Sequence, residues 1–141
     1  MSNEPESAIS HVSLGTDDLK RATRFDDAVL ATLGIRRVME HPGGVAYGRA
    51  FPEFWLQRPL DGQRASVGNG THVAFLATSI EQVQAFHAAA MAAGGTDAGA
   101  PGPRPEYTAA YHGAFVRDPD GHKIEATYFD LNAAGPSDGS G

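Results

Sequence analysis

The sequence of 141 residues contains no cysteine, no cluster of lysine and arginine, and no long apolar run. Without cysteine there can be no disulfide, thiolate zinc site, iron–sulfur cluster or cysteine nucleophile, so any metal must be bound by His, Asp, Glu or Gln. The 17 acidic residues outnumber the 11 basic ones, giving a formal charge of −6, and the basic stripe that binds nucleic acid is missing. These absences favour a small molecule as the partner.

No apolar run reaches the roughly 20 residues that a membrane-spanning helix needs, and residues 1–7 lack the positive and apolar regions of a signal peptide. We therefore expect a cytoplasmic protein with no membrane partner. The length suits one domain, 1–141, that buries on the order of 70% of the surface its unfolded form exposes. Residues 1–6 and the small, polar tail 132–141 are expected to be disordered.

An internal repeat organises the rest of the chain. It places His11 on His72, Phe25 on Phe86 and Gly34 on Gly95. Each copy begins with an alternating stretch that is typical of a half-buried strand, residues 9–14 and 71–76. Apolar residues three and four positions apart then indicate an amphipathic helix in each copy.

Capping residues set the expected ends of both helices. The first is predicted from Asp17 or Asp18 to Gly34, and the second from Ser79, with Gln82 completing a capping box, to Gly94–Gly95. The remaining predicted elements are strands at 35–40, 43–49 and 53–58, then a weak strand at 96–99, a long loop at 98–110, a strand at 111–117, a turn at 118–121 and a strand at 122–129. The sequence thus predicts an α+β fold of two tandem βαβββ modules, about 8–59 and 71–130.

Alternation along these strands places three potential metal ligands on the helix-free face of the sheets. Val12, Val73 and Ile124 are expected to pack against the helices. Their strand neighbours His11, His72 and Glu125 then face the other way. Two histidines and one carboxylate form the ligand set of a facial triad, which leaves open positions on one divalent ion of Fe, Mn, Ni, Co or Zn. The alternative is a cavity that binds a small molecule without metal.

Other residues are candidates for supporting roles around this set. In the fourth strand, Gln57 or Glu53 is a possible fourth ligand, and Trp55 fits the wall of a cavity. The candidates for a general acid or base are Tyr111 and His112, and those for contacts with substrate are Trp55, Arg104 and Tyr107. Aromatic walls or ordinary strand residues are the alternative interpretation of the tyrosines and His112.

The residues Ala114 to Glu125, AFVRDPDGHKIE, resemble the vicinal oxygen chelate superfamily of glyoxalases, fosfomycin and bleomycin resistance proteins and extradiol dioxygenases. The paired modules and the histidine that opens each one add to this resemblance. Two further segments, HVAF at 72–75 and PGPRP at 101–105, are similar to small bacterial glyoxalase-like proteins.

The resemblance implies that the modules curl into a mixed sheet around a central metal cavity, that a homodimer is common, and that His11, His72 and Glu125 are the ligands. The further Glu of glyoxalases is replaced by the segment FWLQ at 54–57, which argues against a four-ligand lactoylglutathione lyase. We therefore expect a divalent-metal-dependent lyase, isomerase or ring-cleaving dioxygenase, with a metal-free, resistance-type binding protein as the alternative. Pairing of modules within one chain or across a dimer stays open.

Overall fold

The computed structural model of the chain describes residues 7–130, which form two successive βαβββ modules. The first has the sheet order β1-β4-β3-β2 and the second β5-β8-β7-β6. The elements are β1 (Val12–Gly15), α1 (Leu19–Ala31), β2 (Arg36–His41), β3 (Gly44–Gly48), β4 (Phe54–Gln57), β5 (His72–Leu76), α2 (Ile80–Ala92), β6 (Thr96–Pro103), β7 (Tyr111–Arg117) and β8 (Lys123–Phe129). The predicted fold class is confirmed, and the residues expected to be disordered lie outside the described range.

The predicted caps begin both helices. The Asp18 carboxylate accepts a hydrogen bond from the Arg21 amide at 3.0 Å, and the Ser79 hydroxyl accepts one from the Gln82 amide at 3.1 Å. The side chain of Gln82 in turn accepts from the Thr78 amide, which closes the second cap. Both helices end two or three residues before the predicted glycines, and in α1 this is because the chain after Ala31 tightens into i to i−3 hydrogen bonds.

One hydrophobic core joins the two modules. The helices contact each other, and each packs against the strands of its own module. The shared core contains Phe25, Val29 and Phe54 from the first module with Phe75 and Phe86 from the second. Since the helices occupy one face of each sheet, the opposite faces stay free of the core.

Strand β6 is longer than the sequence indicated. Thr96–Pro103 pairs with β7 through two register shifts, so the segment predicted as a long loop starts as a strand. Proline cannot donate a hydrogen bond to a sheet, but Pro101 and Pro103 are tolerated because β6 is the edge strand of its sheet.

Side-chain hydrogen bonds connect the modules, including one from the Arg21 guanidinium to the Asp120 carboxylate at 2.9 Å. The buried His122 ring donates from Nε2 to the Gly15 carbonyl oxygen at 2.7 Å. Arg49 donates to the Leu76 carbonyl oxygen, also at 2.7 Å. The last two hydrogen bonds join β1 to the residue before β8, and β5 to the residue after β3. No helix among residues 7–130 is long and apolar enough to cross a membrane.

Asp26 is an acidic residue inside the core-facing side of α1. It is 2% exposed, and its Oδ2 has no hydrogen-bond partner among the described residues. Burial raises the pKa of Asp26 well above its usual value, and the nearby Asp118, Asp27 and Asp120 raise it further. The neutral carboxyl is thus the form that the fold favours.

We expect Asp26→Asn to be more stable than the wild type at pH 7. A carboxyl whose pKa is raised by folding contributes its full stability below the unfolded-state pKa, about 3.9, and loses it as the pH rises towards the folded-state pKa. The advantage of the variant in urea unfolding therefore grows from about pH 4 upwards.

Asp27→Asn is the matched control with the opposite sign. Burial opposes the shift, but hydrogen bonds from Arg37 and Tyr47 lower the pKa of Asp27. This variant should lose stability relative to the wild type as the pH rises through the carboxyl range. An Asp26→Asn advantage that does not change with pH would contradict the account.

Candidate functional site

The helix-free face of the second module holds a buried carboxylate between an imidazole and a phenol. Glu125 on β8 is fully buried, and its Oε1 lies 3.1 Å from the Nε2 of His72 on β5. The hydroxyl of Tyr111 on β7 donates to the other carboxylate oxygen. Because β8 lies between β5 and β7 in the sheet, the three residues come together from three adjacent strands.

Tyr111 is a hydrogen-bond donor at neutral pH. Burial, followed by the hydrogen bond to Glu125, raises the pKa of Tyr111 to about 12. Its hydroxyl also lies 3.2 Å from the Thr127 hydroxyl oxygen. The ring is held edge-on by Tyr107 and Phe129, with centroids 4.9 and 5.4 Å away. Tyr107 thus reaches the site through Tyr111.

Gly113 makes room for this arrangement. A Cβ atom at this position would lie 2.9 Å from the Oε2 of Glu125 and 3.1 Å from the ring of Tyr111. Real Cβ atoms almost never come as close as the first of these distances, and the second is tighter than most, so a side chain at position 113 would require one of the two groups to shift. Gly113 was not predicted as a site residue from the sequence, since a glycine inside a strand carries no chemical signal of its own.

The first module has a separate groove of about 420 Å³ on its own helix-free face, lined in part by His11, His41, Trp55 and Gln57. His11 is exposed there, with its Nδ1 2.9 Å from the Ser10 hydroxyl oxygen. The rings of His41 and Trp55 lie 5.2 Å apart between centroids. The predicted neighbours of His11 are therefore present, but they form a different groove from that of Glu125.

The structure brings His72 and Glu125 together but leaves His11 apart from them. Among residues 7–130, no group of three His, Asp or Glu side chains is close enough to hold one metal ion. His112 pairs with Tyr128 across the sheet and lies on the helix-side face, opposite Tyr111. Its Nε2 is buried without a partner among the described residues.

The internal repeat shows that the first module has no carboxylate at the position of Glu125. Ser13 pairs with Trp55 in the first sheet, and the repeat-related Ala74 pairs with Glu125 in the second. Trp55 therefore occupies the position of Glu125, and Gln57 that of Thr127. Each module has a histidine at or just before the start of its first strand, but only the second module has a carboxylate at the position of Glu125.

The fold defines the class of this protein: a two-module α+β protein whose sheets each keep one face free of helices. The family model of the Glyoxalase/Bleomycin resistance protein/Dioxygenase superfamily matches residues 8–126, and the chain belongs to this superfamily. No significant match was found among curated proteins.

Solved structures share the fold. A glyoxalase/bleomycin resistance protein from Albidiferax ferrireducens T118 is 41% identical, with a TM-score of 0.78, over 86% of this chain and 98% of that one. A glyoxalase-related enzyme from Fulvimarina pelagi is 21% identical, with a TM-score of 0.67 over 86% and 88%. A genomically encoded fosfomycin resistance protein from Listeria monocytogenes is 20% identical, with a TM-score of 0.63 over 90% and 97%. The last two similarities concern the fold alone.

We expect Gly113→Ala to disturb the Glu125 cluster. The added methyl group must displace the carboxylate or the Tyr111 ring, which should lower the free energy of unfolding by about 1–3 kcal/mol and shift the NMR signals of the His72 ring. Gly102→Ala is the matched control, because Gly102 pairs with Gly113 across the sheet but has only one atom, of Arg104, near its Cβ position, at 3.5 Å. Equal effects of the two variants would contradict the steric account.

Proposed function

We propose that this protein is a divalent-metal-dependent enzyme of the glyoxalase or dioxygenase type that acts on a small substrate with two adjacent oxygens. In this proposal His72 and Glu125 of one copy, with His11 of a second copy in a homodimer, bind the metal ion. The observation that carries it is the 3.1 Å approach of the His72 Nε2 to the Glu125 Oε1 on a helix-free sheet face.

The two donors of the second module suit a metal. Ligands that bind an ion at about 2.0–2.2 Å and at right angles to each other are themselves about 3 Å apart. Imidazole with one carboxylate suits Fe, Mn, Ni, Co and Zn, and members of the superfamily commonly bind a divalent ion. The ion would act as a Lewis acid towards the oxygens of the substrate.

The third donor must come from elsewhere, because the described residues offer no third ligand beside His72 and Glu125. His11 is exposed at the helix-free face of the first module, so a second copy can approach it. A two-fold symmetric dimer would place each copy's His11 at the other copy's pair and form two equal sites. This supports a homodimer as the complete unit.

Neighbouring side chains orient the proposed ligands. Tyr111 holds one oxygen of Glu125 by donating to it, which leaves the other oxygen directed at His72. The edge-on contact of Phe115, 5.8 Å from His72 between ring centroids, limits the imidazole orientation. Such partners of ligands fix ring orientation and adjust the basicity of the donors. Tyr111 therefore acts here as a positioning residue.

The purified protein should take up about one equivalent of a divalent ion per chain, measured by elemental analysis after loading and desalting. His72→Ala should lose this uptake, since the pair is left with a single donor. His87→Ala is the control, because His87 pairs with Asp97 away from the site. No uptake by the wild type would overturn the proposed function. Activity assays of the loaded protein with methylglyoxal–thiol adducts and with catechols then separate lyase from dioxygenase chemistry.

A mixture of two inactive variants tests whether the site spans two copies. His11→Ala and Glu125→Ala should each bind little metal alone. After subunit exchange, random pairing across a two-fold interface gives one intact site per mixed dimer and restores about a quarter of an equivalent per chain. No restoration in a mixture shown to contain mixed dimers would contradict pairing between copies.

A metal-free binding protein of the resistance type is the second candidate. It is favoured by one observation: both carboxylate oxygens of Glu125 already have partners within the chain. Trp55 and Tyr107 would then act as aromatic walls for a bound molecule. Ligand binding that survives substitution of both His11 and His72 would select this function over the first.

A further inference from the structure

Two cationic side chains lie over Phe115, next to the proposed ligands, and a third lies beside one of them. The Lys123 Nζ lies 4.9 Å from the centre of the Phe115 ring, and the Arg104 Cζ lies 5.5 Å from it. Arg117 faces Lys123 as its cross-strand partner, and His72 is the partner of Lys123 on its other side. The positive groups therefore continue from β7 across β8 to the imidazole of the site.

These cations have no acidic partners within residues 7–130. None of the ion pairs among residues 7–130 involves Arg104, Arg117 or Lys123. Arg117 donates to the Gly121 carbonyl oxygen, and Arg104 donates only to backbone carbonyls, those of Ala100, Gly102 and Pro103. Their charges are thus not neutralised within the described part of the chain.

A groove of about 420 Å³ opens beside Lys123. It is lined by Lys123, Arg117, His72 and the segment 67–71, and none of these residues is acidic. This is unusual for a chain with six more acidic than basic residues. A groove lined by one sign of charge concentrates ligands of the opposite charge.

The first module lacks this feature at the equivalent position. Val12 pairs with Phe54 as the repeat-related Val73 pairs with Ile124, so that Glu53 occupies the position of Lys123. The sign of the charge is reversed between the two modules. The positive groove is therefore specific to the module that carries Glu125, and it is not a general property of the repeated unit.

Backbone carbonyl groups hold the Arg104 side chain in place before any ligand binds. Its guanidinium is held by three carbonyl oxygens at 2.7–3.2 Å. A Cβ atom at Gly99 would lie 2.9 Å from the Phe115 ring and 3.2 Å from this guanidinium. The absence of a side chain there lets the charge approach the ring, and ordering the charge beforehand lowers the entropic cost of binding.

We propose that the groove binds an oxyanionic substituent of the substrate, a carboxylate or a phosphoryl group, through Lys123 and Arg117, with Arg104 adding positive potential across Phe115. The inference rests on the proposed function, because it identifies the substrate of the same site as an anion. In this arrangement the two adjacent substrate oxygens lie towards His72 and Glu125. The anionic group of the same substrate lies beside Lys123, at the start of β8 on the same sheet face.

Binding is measured on the metal-free protein, so that the result does not depend on metal uptake. Inorganic phosphate and acetate are titrated separately at constant ionic strength, and backbone amide shifts are followed by NMR. Saturable shifts are expected at residues 68–72, Arg117 and Lys123. If phosphate binds more tightly, the groove prefers a phosphoryl group, and if acetate does, it prefers a carboxylate.

Variants that remove one positive charge from the groove should weaken anion binding. Lys123→Gln and Arg117→Gln should each weaken binding of the better anion about tenfold, as expected when a charge-assisted hydrogen bond is removed. Lys20→Gln and Arg24→Gln, on the exposed side of α1, control for the change in net charge and should leave binding unchanged. The melting temperature of each variant shows that the fold is kept.

Two results would overturn the inference: shifts that do not saturate with either anion, or equal weakening by the Lys123 and Lys20 variants. The metal content of Lys123→Gln is measured in parallel and should equal that of the wild type. Anion binding without metal uptake would contradict the proposed function alone, and metal uptake without anion binding would contradict this inference alone.

Discussion

The burial of Glu125 is the constraint on which the organisation of the site depends. A carboxylate removed from water costs several kcal/mol unless hydrogen bonds or charges compensate it. His72 and Tyr111 supply this compensation from the strands on either side of β8. The strand order β5-β8-β7 therefore brings the two partners to Glu125. Gly113 leaves the space in which the Glu125 carboxylate and the Tyr111 ring meet.

The shared core explains why the site lies where it does. Both helices and one face of each sheet are buried together, so each strand has a single remaining face for chemistry. His122 connects this core arrangement to the site, because it lies next to Lys123 in the chain and donates to Gly15 in the other module. The buried histidine thus fixes the start of β8, the strand that carries both Lys123 and Glu125.

Periodicity predicted the elements of this fold well, since helix caps and strand alternation are local properties of the chain. Alternation also placed His72 and Glu125 on one face. It did not place His11 relative to them, because alternation determines the face of a strand and not the distance between two sheets. Lys123 was not singled out, since a lysine on a strand resembles an ordinary solvated residue until the groove around it is known. Asp26 was missed because a buried acid on a helix gives no periodic signal.

The differences between the modules restrict how a complete site can form. Joining two first modules would bring together two histidines and two tryptophans, since Trp55 stands where the second module has Glu125. Joining two second modules would bring together two carboxylates and two copies of Lys123. Only a first module with a second one would give the two histidines and the single Glu125 of the proposed ligand set, and it would place Glu53 of one module at the side of Lys123 of the other. Opposite charges at equivalent positions favour this mixed pairing over the two like pairings. In the proposed site, the divergence of the two modules would therefore provide both the ligand set and the electrostatic preference that selects it.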